Sequence, residues 1–156
     1  MHRSWLATLV LATATLAVPA TAQTPKAGGP VRTIDLVAND EMRYNVTTIT
    51  AKPGEQLRVR LVVRGVVPKI AMAHNFVLLK PGTNEKKFVD AGAMFREQDF
   101  VAPTMAGSVL AKTALAGPGE TVQVVFTAPA KPGSYTYLCT FSGHFQAGMK
   151  GVLIVK

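Results

Sequence analysis

Residues 134–156, SYTYLCTFSGHFQAGMKGVLIVK, contain two apolar segments joined by a loop. The first, Ser134–Phe141, is rich in aromatic and β-branched residues. The second, Gly151–Lys156, is a short apolar run ending in a lysine. Both compositions are typical of β-strands. The connecting loop is tethered at each side to a strand, so its two ends are held close together.

The rest of the chain repeats this pattern of short strands separated by turns. Leu57, Val59, Leu61 and Val63 alternate with Arg58, Arg60 and Val62, as in a half-buried strand. Further strand-like segments are Val31–Ala38, Tyr44–Ala51, Glu55–Gly65, His74–Lys80 and Thr121–Ala128. Pro-Gly pairs interrupt them in AKPGE (51–55), AGPGE (116–120) and AKPGS (130–134), because Pro presets φ and Gly accepts positive φ. The pattern predicts an all-β antiparallel sandwich in a single domain, residues 32–156.

One connection, residues 81–112, is longer than a simple loop. It contains DAGAMFREQDF (Asp90–Phe100), a segment compatible with a helical turn or two. Long excursions in compact domains are usually covering or functional elements. We therefore expect an insertion with a short helix.

The chain opens with MHRSWLATLVLATATLAVPATA, which resembles a secretory leader. Arg3 precedes an uncharged apolar run, Trp5–Val18, and the segment closes on small residues. The alternative is a membrane anchor, but the run is short for a span of about 20 residues. Residues 1–22 are predicted to be a cleaved signal peptide, with residues 23–31 as a flexible lead-in. The expected product is exported, soluble and without a membrane span.

The chain is basic, with 17 Lys and Arg against 9 Asp and Glu and a formal charge of +8. The cations are scattered singly, and no nucleic-acid-binding motif accompanies them. This pattern favours a solvated basic surface over a nucleic-acid site. Such a surface can still steer acidic partners.

Soft and borderline metal donors concentrate in the loop of the opening stretch. Cys139, the only cysteine, His144 and Met149 follow one another at intervals of five, and His74 lies far upstream before an apolar strand. Each has an ordinary alternative as a buried core residue. One thiolate, two imidazoles and one thioether are nevertheless the donor set of a blue-copper site, and their joint occurrence favours one copper ion per chain.

Three segments resemble the cupredoxins, and most closely the azurin and auracyanin group of small blue-copper proteins. They are MAHNFVLL (72–79), AKTALAGPGE (111–120) and CTFSGH (139–144) followed by MKG (149–151). The resemblance implies a Greek-key β-sandwich. It implies four copper ligands, His74, Cys139, His144 and Met149. It also implies residues that support the thiolate: Asn75, Thr140 and Phe141.

The chain departs from azurins at several positions. One more residue separates His144 from Met149, and a disulfide is excluded by the single cysteine. Ala73 replaces the usual glycine whose carbonyl can be a weak fifth ligand, and Ser142 replaces the usual proline. These changes leave a copper site in place. They bear mainly on its reduction potential and on whether a backbone carbonyl makes a fifth contact to copper.

The implied function is one-electron transfer between redox partners, such as c-type cytochromes or membrane and periplasmic oxidoreductases. A copper enzyme is disfavoured because Leu138 stands where a bridging histidine would be needed. A copper chaperone delivering the ion to another exported cuproprotein is the remaining alternative. Around His144, we expect partners to dock on an apolar patch of three residues: Met72, Phe145 and Ala147.

Overall fold

A computed structural model describes residues 29–156. The predicted signal peptide, residues 1–22, lies outside the described residues, as does most of the lead-in. Within residues 29–156 the strands are β1 (Arg32–Asn39), β2 (Arg43–Tyr44), β3 (Thr48–Ala51), β4 (Gln56–Arg64), β5 (Val77–Leu79), β6 (Val109–Lys112), β7 (Thr121–Thr127), β8 (Gly133–Leu138) and β9 (Lys150–Val155). The helical elements are α1 (Glu85–Gly92) and two 3₁₀ helices, Arg96–Gln98 and Pro103–Ser108.

The strands form two sheets, with orders β2-β1-β4-β7 and β3-β9-β8-β5-β6. Over the described residues the chain changes sheet five times, after β2, β3, β4, β6 and β7, so the two sheets are linked by several crossing connections. The expectation of an all-β sandwich is thus confirmed. It was incomplete in one respect, because β1–β4 and β3–β9 pair in parallel. The two strands of each parallel pair are not neighbours along the chain, and a pattern of local turns does not reveal such pairs.

The core lies between the sheets and follows the alternation read in β4. Leu57, Val59 and Leu61 have no exposed surface, and Val63 is 2% exposed. Successive side chains of a strand point to opposite faces, so these four all enter the core. Their arginine neighbours stay on the other face. Burial of these aliphatic side chains stabilises the frame on which the site is built.

The segment Tyr44–Ala51, predicted as one strand, is divided between the two sheets. β2 ends at Tyr44 and β3 begins at Thr48. Between them, Asn45 turns the chain: its N–H donates to the Val37 carbonyl at 3.0 Å, and its side-chain oxygen accepts from the Val37 N–H at 2.7 Å. The side chain thus substitutes for a strand partner while the chain changes sheet. The strand-like composition of this segment shows no break at the crossing, so the sequence alone does not reveal it.

The insertion, residues 81–112, contains the expected short helix, although it begins before the predicted segment. α1 starts after Asn84, whose side-chain oxygen accepts from the Lys87 N–H at 2.9 Å, a typical N-cap. Phe88 of α1 is fully buried in a second apolar cluster that includes Val77 and Leu138. The insertion also supplies the edge strand β6, which the sequence reading missed.

Candidate metal centre

The predicted donors converge because of where the strands end. Cys139 directly follows β8, and the loop to β9 carries His144 and Met149. The loop is closed by two backbone hydrogen bonds, Cys139 N–H to the Met149 carbonyl at 3.1 Å and Met149 N–H to the His144 carbonyl at 2.9 Å. His74, before β5, is fixed by reciprocal 2.8 Å backbone bonds with Ala116. Both donor segments are therefore held by backbone pairing.

Three donor side chains form one compact group. The ligand atoms of His74, Cys139 and His144 all lie within 4.8 Å of one another. Cys139 Sγ is 3.4 Å from His144 Nδ1, and the two imidazole centroids are 4.8 Å apart. Met149 is fully buried beside them. The Ala73 carbonyl oxygen lies 4.0 Å from Cys139 Sγ, and its predicted role as a weak metal contact stays a prediction.

His74 gives a test of whether a metal ion fits this group. Its side chain is fully buried, and neither ring nitrogen has a hydrogen-bond partner among the described residues. Leaving a buried polar atom without a partner costs about 1–3 kcal/mol. A metal ion bound by an imidazole nitrogen would remove part of that cost. The donor set of thiol, imidazoles and thioether suits copper.

Burial sets the protonation of the donors without metal. It raises the pKa of Cys139 to about 12, although backbone hydrogen bonds from Asn75 and Phe141 to the sulfur act in the opposite direction. Burial also lowers the pKa values of His74 and His144 to about 4. At neutral pH the imidazoles are therefore ready to bind a cation, whereas the thiol must release its proton when metal binds.

The two donor segments are locked together beside the thiol. Asn75 Nδ2 donates to Thr140 Oγ1 at 2.7 Å, and the Thr140 N–H donates to Asn75 Oδ1 at 2.9 Å. Both residues are buried, and the Tyr44 hydroxyl donates to the Asn75 carbonyl. Because each side chain satisfies the other, the residues flanking His74 and Cys139 keep a fixed separation.

Asp99 of the insertion ties a third segment to this lock. Its carbonyl oxygen accepts from Asn75 Nδ2 at 3.1 Å and from Thr140 Oγ1 at 2.6 Å. Its carboxylate accepts from the Leu115 N–H at 3.0 Å and pairs with Lys112. Asp99 has a φ of 57°, a left-handed conformation that costs a non-glycine residue about 1–3 kcal/mol and persists only where its contacts hold it. The sequence reading missed Asp99, and aspartate's tolerance of this conformation is only a weak signal.

Aromatic rings surround one side of the donor group. The Phe141 ring lies against the His144 imidazole with centroids 4.8 Å apart, and it meets Phe100 edge-on at 5.3 Å. Phe100 has the same left-handed φ of 57° as its neighbour. These rings cover the donors from the side of the insertion. His144 keeps 2% of its surface exposed, whereas His74 and Cys139 keep none.

The predicted docking residues lie near the loop but are only partly accessible. Met72, Phe145 and Ala147 are half-buried. The Phe145 ring packs against the cluster that contains Phe88 of α1, and the Lys150 ammonium lies 5.4 Å from its centroid. Phe145 therefore presents a reduced apolar surface, and the docking patch stays a prediction.

Comparison with known proteins places this site in a family. Residues 32–156 match the family model described as copper binding proteins, plastocyanin/azurin family. The chain belongs to this family. Members of the plastocyanin/azurin family bind copper, and the grouped donors described above accord with copper as the cofactor of this chain.

Individual relatives support the family assignment. The chain is 36% identical to azurin of Pseudomonas aeruginosa over 79% of its own length and 84% of that protein. It is 34% identical to auracyanin-B of Chloroflexus aurantiacus over 81% of its length, but the match spans only 53% of that relative. Auracyanin A of the same genus, a blue copper protein, superimposes with a TM-score of 0.71 at 30% identity, over 81% of this chain and all of that structure.

We expect the metal-free protein to lose stability as the pH falls from about 6.5 toward about 4. Folding lowers the pKa of both histidines, so the unfolded chain binds protons more readily and acid favours unfolding. Urea unfolding of the metal-free protein would show this fall between about pH 6.5 and pH 5, where carboxylates remain ionised.

The histidine double variant His74→Leu/His144→Leu is the control for this pH dependence. It should flatten the profile above about pH 5, since both imidazoles that cause the fall are removed. A slope that persists unchanged in the double variant would show that other groups cause the loss.

Proposed function

We propose that this chain is an electron carrier with one type 1 copper ion, held by His74, Cys139 and His144. Met149 would be a fourth, weaker donor, and the Ala73 carbonyl would be an additional weak contact. The observation that carries the proposal is the compact buried group of three donors in which both His74 ring nitrogens lack hydrogen-bond partners among residues 29–156. Bound copper would supply one-electron chemistry.

The protein residues contribute rigidity and a dry environment. Backbone pairing fixes the His74 and Cys139 segments, and the Asn75–Thr140 lock resists changes in their separation. The N–H groups of Asn75 and Phe141 donate toward the Cys139 sulfur and withdraw charge from it. A donor set that moves little between oxidation states suits transfer of electrons without transfer of the ion.

Burial also separates the carrier proposal from its alternatives. A chaperone must hand over its ion, and fully buried donors such as His74, Cys139 and Met149 offer no accessible path to a receiving protein. Four protein donors leave no vacant position for a substrate, which favours a carrier over an enzyme. The relatives compared above also favour a carrier.

We further propose export and protein redox partners. The leader pattern of residues 1–22 supports periplasmic or other extracytoplasmic location after cleavage. No helix in residues 29–156 has the length and apolar character required to cross a membrane. The partners would be c-type cytochromes or membrane-associated oxidoreductases. They would approach the loop that carries His144, which keeps 2% of its surface exposed, at the predicted docking residues Met72, Phe145 and Ala147.

Addition of Cu(II) to the metal-free protein tests this proposal. We expect an intense blue absorption and an EPR spectrum with narrow copper hyperfine splitting, because thiolate donation delocalises the unpaired electron. Reduction and reoxidation in the presence of a Cu(I) chelator should leave the copper on the protein. Transfer of copper to the chelator during each cycle would instead identify a chaperone.

A further inference from the structure

Arg96 places a positive charge next to the aromatic cover of the donor group. Its guanidinium carbon lies 5.6 Å from the Phe141 centroid and 5.8 Å from the Phe100 centroid, within the range of cation–π contact. The Phe141 ring in turn lies against His144. One aromatic ring therefore separates this cation from a proposed copper ligand.

Most of the hydrogen-bonding capacity of Arg96 is unused by the described residues. Its Nη2 donates to the Ile70 carbonyl at 3.0 Å, and the residue is exposed. A guanidinium has five N–H donors in a planar fork that matches a carboxylate. Six other cations of the described chain already have carboxylate partners: Arg32, Arg60, Lys69, Lys86, Lys112 and Lys150. Arg96 forms no such pair within residues 29–156.

Exposed apolar side chains accompany this arginine. Ile70, which it contacts through the backbone, is 71% exposed, and the preceding residues Met94 and Phe95 are 89% and 36% exposed. We call Ile70, Met94, Phe95 and Arg96 the Arg96 face. An arginine among aromatic and Met residues is a composition enriched at protein–protein contacts.

We propose that the Arg96 face binds an acidic redox protein. In this complex the Arg96 guanidinium pairs with a carboxylate that lies beside the redox centre of that partner. This inference rests on the proposed electron-carrier function and adds the chemistry of the partner. A basic chain, with 17 Lys and Arg against 9 Asp and Glu, complements an acidic surface. Binding here would bring the partner within one ring, Phe141, of His144.

A protein partner fits this face better than an anionic membrane. Lipid headgroups are recognised by clusters of four to eight neighbouring cations. The Arg96 face has one cation among three apolar residues, and Glu97 follows it in sequence. A single directed charge within an apolar surface is suited to one complementary carboxylate.

The test uses copper-loaded Arg96→Gln with inorganic redox reagents of opposite charge. Oxidation by ferricyanide should slow by about fivefold at low salt, because an attractive charge near the site is lost. Reduction by hexaammineruthenium(II) should accelerate by a similar factor. Both effects should shrink at high salt as screening increases. Arg96→Lys should retain most of the wild-type behaviour.

Lys131→Gln is the matched control, since it removes one exposed positive charge before the start of β8, at the far end of that strand from Cys139. It should change both rates by less than about twofold, because the charge it removes lies farther from the donor group than that of Arg96 and interacts more weakly with a reagent there. The comparison is then repeated with an acidic and a basic c-type cytochrome in place of the inorganic reagents. Only the acidic cytochrome should react more slowly with Arg96→Gln.

The contrary outcomes are distinct. Equal effects of Arg96→Gln and Lys131→Gln would show that only net charge matters, and slowing with both reagents would assign Arg96 a structural role. Arg96-dependent binding to phosphatidylserine vesicles, without an effect on the acidic cytochrome, would replace the protein partner with a membrane. A wild-type protein that lacks the blue spectrum would contradict the electron-carrier proposal itself, independently of Arg96.

Discussion

Replacement of Cys139 by serine should abolish the intense blue absorption of the copper-loaded protein. That absorption arises from charge transfer between a thiolate and Cu(II), and a hydroxyl oxygen cannot supply it. The visible spectrum of Cys139→Ser after Cu(II) addition, normalised to bound copper, measures the effect. A protein that remained blue would show that the thiolate assignment is wrong.

Met149→Leu is the companion variant within the same site. It removes the thioether while keeping an apolar side chain of similar volume in a fully buried position. We expect it to retain copper and colour but to have a higher reduction potential, because a weak axial donor that favours Cu(II) is lost. Loss of colour in both variants would instead indicate general disruption of the loop.

Replacement of Asn75 by alanine should lower the free energy of unfolding by about 3 kcal/mol, since it leaves buried polar groups without partners. The Thr140 N–H loses its acceptor, and both Thr140 Oγ1 and the Asp99 carbonyl lose a donor. Denaturant unfolding of the metal-free protein isolates this cost from copper binding.

Asn45→Ala is the control for that substitution. Asn45 also accepts a backbone N–H, from Val37, but it is exposed and water can replace it. Asn45→Ala should therefore lower the free energy of unfolding by no more than about 1 kcal/mol. Equal destabilisation by the two alanines would show that burial of the Asn75–Thr140 lock has no special importance.

The sequence predicted the donor residues better than their surroundings. Cys139, His144 and Met149 stand in one loop between recognisable strands, so their proximity followed from local order. Asn75 and Thr140 were found through family resemblance, and the structure places them in mutual contact. Asp99 and Arg96 could not be anticipated, because their importance depends on how the insertion folds back over the site.

The errors in the fold have a similar origin. β6 lies at a sheet edge, and only one of its four residues, Ala111, is buried, so its sequence carries little alternation. Tyr44–Ala51 has a continuous strand-like composition, yet it changes sheet at Asn45. In both places the outcome is decided by non-local pairing, whereas propensity and turn residues report only local preference.

The position of β9 has a consequence for how the protein matures. Although it is the last strand, it lies inside its sheet, between β3 and β8, and pairs with residues near the start of the described chain. Such distant pairing slows folding and prevents the sheet from closing before β9 has been synthesised. Met149 directly precedes β9, so the complete donor set assembles only when that strand docks. Copper acquisition would then report that β9 has docked, and a chain in which this strand is still unpaired would not yet capture the ion.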